Sequence, residues 1–516
     1  MQDVKKSYDD VPYMSKVYKE SLPENSYLAG LLYGLKIPEI GSARVLELAC
    51  SMGGNIIPFA LNHKNAKVVG VDISSIHIQK ARNLANELNI TNIEFYEKNI
   101  LDIDKSFGEF DYIIAHGVYS WVSDDIKDKI LQIFDECLAP NGVAYLSYNT
   151  YPGWKGKEIL RDIMLYRMED KEQNNPDLKL ELGFDTLAFL KNNSVPGVAK
   201  TAIDEYYDDL KLRSKSYILH EYFEETNRPN YFYEVVNSAK KHNLEFLSEA
   251  NFKNSIFPPI TDELKKALNS ECNGDRVRFE QFIDFIIDRT FRRSLFVKNE
   301  FSKKIDTNFN IKFKDLDSLF VSGNFKYDMD KGLYINLKSG VFMPKNMFEL
   351  FEELSAIYPS NLNVAEFMKE YRKTHSDDDV SNFYLNLAYL IISKELAFSF
   401  EKVTFDKSIK EKPKLNTIFL KLLAFTKTNG HTTGFFNKFY DNIEINKDVD
   451  YDFLPLFDGK KDENDLVNEL IKLENSGKFK FILEGSLVNS KKMVNLMAKR
   501  YTKEKIDTLF NIGILE

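Results

Sequence analysis

The chain is poor in cysteine. Its three cysteines, Cys50, Cys137 and Cys272, are odd in number and far apart, among 516 residues. That excludes a disulfide framework and a CxxC metal pair, and it points to a reducing compartment. Long hydrophobic runs are also missing, so no membrane span is expected. The first stretch, MQDVKKSYDDVPYMSK, lacks the apolar centre of a signal peptide, and a cytoplasmic location is the expectation. Positive charge is in deficit, with a net charge of −9, which argues against a dedicated nucleic-acid binder. No low-complexity segment or clear internal repeat is present. His220-Glu221-Tyr222-Phe223-Glu224 is not HExxH, so no metal is expected. What remains is an ordinary globular composition, 43% hydrophobic and 28% charged. At this length roughly three domains, or one elaborated domain plus another, are expected.

The stretch Ala43–Ile73 organises the rest. An apolar run around Val45, Leu46 and Leu48 reads as a strand. Gly53 and Gly54 follow, then Asn55, placed to cap a helix through Ile56, Ile57, Phe59, Ala60 and Leu61. A second apolar run, Lys67 to Val71, ends in Asp72 and Ile73. This is the βαβ unit of a doubly wound sheet, whose crevice lies at the carboxyl ends of the strands. A carboxylate at the tip of the second strand suits two ribose hydroxyls. The plainer alternative is an ordinary βαβ unit whose acid caps a helix.

Further repeats extend the sheet. Ser74 caps a helix over 75–88, and Asn92 to Lys98 is a third strand ending at Asn99-Ile100. Asp111 to His116 is a fourth strand, Ile126 to Leu138 a helix, Pro140-Asn141-Gly142 a turn and Gly142 to Tyr148 a fifth strand. Residues 155–220 are charged and helical, with no strand pattern, and read as an insertion. Phe232 to Asn243 is a helix, Glu245 to Glu249 a strand, and Arg292 to Lys298 a last strand after a second helical insertion over 252–290. A sheet completed near residue 298 is preferred to one ending near 170, because the shorter sheet leaves an apolar edge open. The expected organisation is thus an α/β domain over 1–300 and an α+β domain over 301–516. Hairpin signals at Ser322-Gly323-Asn324 and Asp330-Lys331-Gly332 and several short helices make the second winged-helix-like. Such domains bind DNA or protein, or mediate dimers, so a homodimer is among the expectations.

The turn after the first strand decides the ligand. GxGxxG is absent, since only Gly53 and Gly54 are glycine, and a dinucleotide is excluded. Glu47 closing the first strand and Asp72 closing the second form the pattern for S-adenosylmethionine (SAM), which has no pyrophosphate to place at a helix N-terminus. Glu47 faces the ammonium and sulfonium end through water. Backbone around Ala49, Cys50, Ser51, Gly53, Gly54 and Asn55 lines the methionine portion. Asp72, with Ile73 beside it, takes the ribose, and Asn99 and Ile100 take the adenine. Asn99 also reads as a plain turn cap.

The strings VLELACSMGGN, FDYIIAHGVYSWV, GVAYLSYNTYPGW, HEYFEETNRPNYF and DRTFRRSLF, with the early YDDVPY, resemble class I SAM-dependent methyltransferases that carry a methyltransferase regulatory region. The branch of this length includes the rickettsial-type protein lysine methyltransferases acting on outer-membrane protein. The resemblance is dense over about residues 7–300. It implies a Rossmann-like fold, SAM as cofactor, and methyl transfer to lysines of a protein substrate, with no nucleic-acid or membrane partner. Glycines are usual in the family at Ala49 and Ser51, and Ser51 would crowd the methionine portion. Candidates for the acceptor side are His116, Tyr119, Trp121, Tyr148, Asn149, Tyr151 and Trp154 at the tips of strands four and five, with Tyr8 and Tyr13 closing from above. His116 reads equally as a general base or as a spacer. Two rivals stand beside this reading: a small-molecule or different acceptor, and a SAM-sensing interaction protein.

Overall fold

The computed structural model describes residues 14–168, 175–224, 226–306, 313–430, 433–483 and 485–516. Tyr8 and Tyr13 lie outside them.

Seven strands form one sheet: β1 (Arg44–Leu48), β2 (Lys67–Asp72), β3 (Ile93–Glu97), β4 (Phe110–Ala115), β5 (Leu138–Asn149), β6 (Leu244–Glu249) and β7 (Phe291–Lys298). Their spatial order is β3-β2-β1-β4-β5-β7-β6. Neighbours among β1 to β5 pair in parallel, and β7 runs antiparallel to both β5 and β6. β1 is a short apolar run because a parallel strand is buried on both faces. Its central residues pair Leu46 with Val69 on one side and with Ile113 on the other. The chain winds outward from β1 to β2 and β3, then returns to β4. The crevice therefore opens between the tips of β1 and β4, where the winding direction reverses.

Helices cover both faces. One face carries α1 (Pro23–Leu32), α2 (Ile57–Asn62) and α3 (Ser75–Glu87). Ser74 caps α3 by accepting from the His77 amide at 3.2 Å. The other carries α4 (Asp124–Cys137), whose acidic first turn complements the helix dipole, and α9 (Phe232–Lys241). Between them lies the expected insertion: α5 (Trp154–Tyr166), α6 (Pro176–Asn193), α7 (Val198–Lys211) and α8 (Lys215–Phe223). These four pack around their own core of Leu160, Met164, Leu187, Ile203 and Tyr222. The second insertion holds α10 (Phe252–Ile256), α11 (Asp262–Cys272) and α12 (Arg276–Ile286).

The sheet closes on a buried cation. Arg292 of β7 is fully buried and lies over the Phe232 ring at 3.8 Å. Its guanidinium grips Asp284 at 2.7 and 2.8 Å, Glu280 at 2.9 Å and Glu249 at 3.3 Å. Glu249 also accepts from the Arg293 amide at 2.6 Å. One side chain thus joins β6, β7 and α12, which explains the basic string near residue 290 as structural.

Three sequence expectations change. Asn55 does not cap α2; its side chain turns back toward β1. Pro140-Asn141-Gly142 is not a turn but part of the 12-residue β5. A register shift between Phe110 and Tyr112 absorbs it, with Gly142 close against the Asp111 carbonyl. Beyond β7, among the described residues, the strands are short and split among separate sheets, the longest of four residues, and they do not identify a winged helix. The hairpin Phe325–Asp328 with Leu333–Asn336 is present as read. Buried residues of this region, including Phe419, Phe435 and Leu515, belong to the same apolar cluster as Val45, Ile57 and Phe59 under the sheet.

Removing one partner from a buried ionic cluster leaves the others uncompensated. Arg292→Met is therefore expected to cost about 3–5 kcal/mol in urea unfolding. A loss below about 1 kcal/mol, the scale of an exposed pair, would show that the cluster is dispensable.

Candidate active site

The turn after β1 is built from left-handed residues. Ala49, Ser51 and Gly53 have φ of 56°, 50° and 75°. Two of the three carry side chains in a region that favours glycine, which gives the family's preference for glycine at 49 and 51 a direct cause. At Gly53 a Cβ would meet Phe95 at 2.7 Å and Ile57 at 2.9 Å, so only glycine fits. The turn is held by the Cys50 amide donating to the Val71 carbonyl at 2.9 Å. The Cys50 thiol is buried, and burial with the nearby Asp72 and Glu47 carboxylates pushes its pKa well up, so it is not a nucleophile.

Asp72 sits at the tip of β2 as expected. Its two oxygens accept from the Ser51 amide at 2.8 Å and the Ser74 amide at 2.9 Å. A carboxylate has about four acceptor positions, so acceptor capacity remains, with the His77 ring Nδ1 lying 3.7 Å from one of the two oxygens. Ile73 beside it is exposed. At the tip of β3, Asn99 caps the short turn Ile100–Asp102, accepting from the Leu101 amide at 3.0 Å, and Ile100 is half-buried next to it.

Glu47 is the buried acid of the site, 3% exposed. One oxygen accepts from Asn55 Nδ2 at 2.6 Å, and Oε2 has no hydrogen-bond partner. Burial pushes its carboxyl up to about 8, against the opposing Asn55 hydrogen bond and with a smaller push from Asp72. Asn55 Nδ2 also reaches Ser21 Oγ at 2.9 Å, and its oxygen accepts from the Tyr18 amide at 2.9 Å. Asn55 thus ties β1 to the segment Ser15–Ser21, which crosses the turn. Gly54 donates to Ser15 Oγ at 2.8 Å, and a Cβ there would meet the Ser15 carbonyl at 2.5 Å. An orphan acceptor on Glu47 and open acceptor positions on Asp72, one at each neighbouring strand tip, fit the ammonium and diol of SAM.

The acceptor side is narrower than the sequence suggested. His116 Nδ1 lies 3.0 Å from Tyr145 Oη and 3.1 Å from Ser147 Oγ, and its ring packs on Tyr18 with centroids 3.8 Å apart. Burial, then the Arg293 charge, lowers His116 to about 3, so the ring is neutral and too weak a base to deprotonate an amine. The general-base role is therefore replaced by that of a neutral packed ring. Tyr119 and Tyr148 are not brought to this side. Both lie in the core on the opposite face of the sheet, their rings 6.0 Å apart. The Tyr148 hydroxyl is spent on Ser294 at 3.0 Å, and burial raises both phenols. Trp121 is half-buried in the short turn Tyr119–Trp121. Asn149 is bonded to Asn227 at 3.2 Å, Tyr151 to Glu158 at 2.5 Å, and Trp154 is buried at the start of α5. Sequence reasoning missed Ser15, Ser21 and Tyr145 as site residues, whereas Tyr18 belongs to the tyrosine-rich segment before β1, which reads equally as a cover over the crevice or as packing at the domain edge. Tyr145 was recoverable, because period two on β5 places it on the face of Ser147.

A carboxyl held at about 8 when folded, against an ordinary 4.5, keeps its proton in the native state between those values. The native state then binds more protons than the unfolded one, and stability falls as pH rises through that window. Glu47→Gln keeps the oxygen that meets Asn55. It is expected to remove this decline, so that the variant gains on the wild type from about pH 5 to pH 8 in urea midpoints. A constant difference across that range would contradict the protonated Glu47.

Comparison with known proteins agrees with this geometry. Residues 41–205 match a family model described as a methyltransferase domain, and residues 214–298 one described as a predicted methyltransferase regulatory domain. The uncharacterized protein RP789 of Rickettsia prowazekii is 30% identical over 511 residues, covering 94% of this chain and 89% of that protein. A second protein of that organism, RP028, is 35% identical over 47% of this chain and 96% of its own length. The structure of PKMT2 from Rickettsia typhi in complex with AdoHcy superposes with a TM-score of 0.79 at 26% identity, over 98% of this chain and all of that one. The likeness spans the sheet, the insertions and the C-terminal region together. The chain belongs to the class I SAM-dependent methyltransferases that carry a methyltransferase regulatory domain.

Proposed function

We propose that this methyltransferase acts on the side-chain amine of lysine in a protein acceptor of the outer-membrane protein class, and does so in the cytoplasm. The observation that carries the reading is the likeness to PKMT2 along the full chain, joined to aromatic rings, with a neutral His116 among them, beside the donor crevice. When bound, SAM supplies an electrophilic methyl group on a positively charged sulfur. Asp72 holds the ribose hydroxyls on its open acceptor positions. Glu47 faces the ammonium end through its unpartnered oxygen, and the amides of Ala49 to Gly53 line the methionine portion. Ile100 packs on the adenine, with Asn99 at its edge.

The acceptor must arrive as a neutral amine. A free lysine costs roughly 4–5 kcal/mol to deprotonate at neutral pH. Tyr18, His116 and Tyr145 lower that cost by excluding water from the ammonium, since burial disfavours the charged form. His116 contributes by being neutral, with Tyr145 and Ser147 fixing its ring through Nδ1. The Arg293 and Lys16 charges that reach His116 disfavour a further cation there, against the opposing Glu20 carboxylate.

Asp72→Ala is expected to weaken S-adenosylhomocysteine binding by about 1–3 kcal/mol in calorimetry, because two hydroxyls lose their charged acceptor. An unchanged affinity would remove Asp72 from the ribose. The acceptor is tested by incubating the enzyme and labelled SAM with candidate outer-membrane proteins. Methyl label on lysine, found by mass spectrometry, is the expected result. Label confined to other residue types or to small molecules would overturn the lysine reading.

A further inference from the structure

The C-terminal region reaches the segment beside the donor crevice through a small hairpin, among other contacts. A hairpin pairs Phe435–Phe436 with Asn442–Ile443, and both phenylalanines are buried. Its turn is fixed from within: Asn437 Nδ2 donates to Asp441 at 3.1 Å and to the Ile512 carbonyl at 3.0 Å, while its oxygen accepts from the Phe439 and Asp441 amides, each at 2.9 Å. Its base is fixed from below. Tyr440 donates to Glu24 at 2.5 Å, and Glu24 is bonded to the buried His63 at 2.7 Å. The sequence TGFFNKF (433–439) of this hairpin has no role in the donor site described above.

The segment Ser15–Ser21 lies between this hairpin and the glycine turn, and it is engaged on both sides. Ser15 accepts from Gly54 through its hydroxyl and from Gly434 through its carbonyl, both at 2.8 Å. Asn442 takes both backbone groups of Val17, accepting from its amide at 3.2 Å and donating to its carbonyl at 2.9 Å. The next amide, that of Tyr18, is taken by Asn55 on the site side. Lys19 pairs with Asp441 at 2.7 Å, and Glu20 with Lys394 at 2.7 Å. The position of Tyr18 over His116, and of Asn55 against Glu47, is thus set jointly by the crevice and by the C-terminal region.

We propose that Asn442 and Asp441 are positioning residues for methyl transfer: the hairpin holds Ser15–Ser21 across the crevice, and through it the C-terminal region sets the affinity for the methyl donor. This rests on the crevice being the SAM site. Asn442 acts through Val17 and Tyr18, and coupling of this kind is reciprocal, so donor binding must in turn tighten the hairpin.

The test uses the full-length protein with S-adenosylhomocysteine as probe. Asn442→Ala is expected to weaken binding about tenfold, the worth of one to two lost hydrogen bonds, with the donor KM rising more than kcat falls. Asn442→Asp, which keeps the acceptor for the Val17 amide, is expected to lose less. In the unaltered protein, probe binding is expected to slow amide exchange in residues 14–21 and also in 433–443. Exchange in 433–443 that does not respond to the probe would overturn the proposal, even if the variants fail to fold. Unchanged affinity in a folded Asn442→Ala would overturn it too. Failure of the unaltered protein to bind the probe would instead remove the donor-site reading.

Discussion

The hydrogen bond from Asn55 to Glu47 is the contact on which the site depends. It satisfies one oxygen of an acid that would otherwise be buried without a partner, and a buried polar group left unpaired costs free energy. It also fixes Asn55 so that its remaining groups reach Ser21 and the Tyr18 amide. The tip of β1, the crossing segment and the ring over His116 are thereby one unit. Only one oxygen of Glu47 is satisfied, which leaves the other buried at the tip of β1 without a hydrogen-bond partner. An ammonium group placed beside this protonated acid would favour its ionised form, because a nearby opposite charge lowers a carboxyl pKa.

The seven-stranded sheet supplies the frame for this unit. The reversal of winding between β1 and β4 opens the crevice, and the reversed β7 closes the far edge. Arg292 locks that edge from inside, where three carboxylates and an aromatic face surround it. The frame and the donor crevice meet at Arg293, whose amide bonds Glu249 and whose charge helps keep His116 neutral. A single strand thus carries one arginine for stability and the next for the electrostatics of the acceptor side.

Much of this was legible in the residues. Hydrophobic runs bounded by Gly53-Gly54 and by Asp72 located β1 and β2, because local pattern and turn chemistry agreed there. Completion of the sheet near residue 298 followed from the need to cover an edge. What failed was whatever depended on distant partners. Asn55 has the chemistry of a helix cap, and nothing local says that Glu47, eight residues away in sequence, competes for it. Tyr119 and Tyr148 share strand tips with His116, but the pleat and the turn after β4 send them to the other face. The helix Lys491–Asn511 escaped notice because its buried stripe is narrow: Val494, Ala498, Thr502, Ile506 and Leu509. Thr433 to Asn442 gave no sign of reaching Ser15 and Val17, since a contact across more than 400 residues leaves no periodicity to read.

A crystal structure of the full chain with S-adenosylhomocysteine tests the central assignment most directly. Both ribose hydroxyls are expected within about 2.5–3.0 Å of the Asp72 oxygens, with the amino end of the ligand directed at Glu47 and Ser15–Ser21 still crossing the glycine turn. A ligand seated elsewhere on the sheet, or one in the crevice whose ribose makes no contact with Asp72, would contradict it.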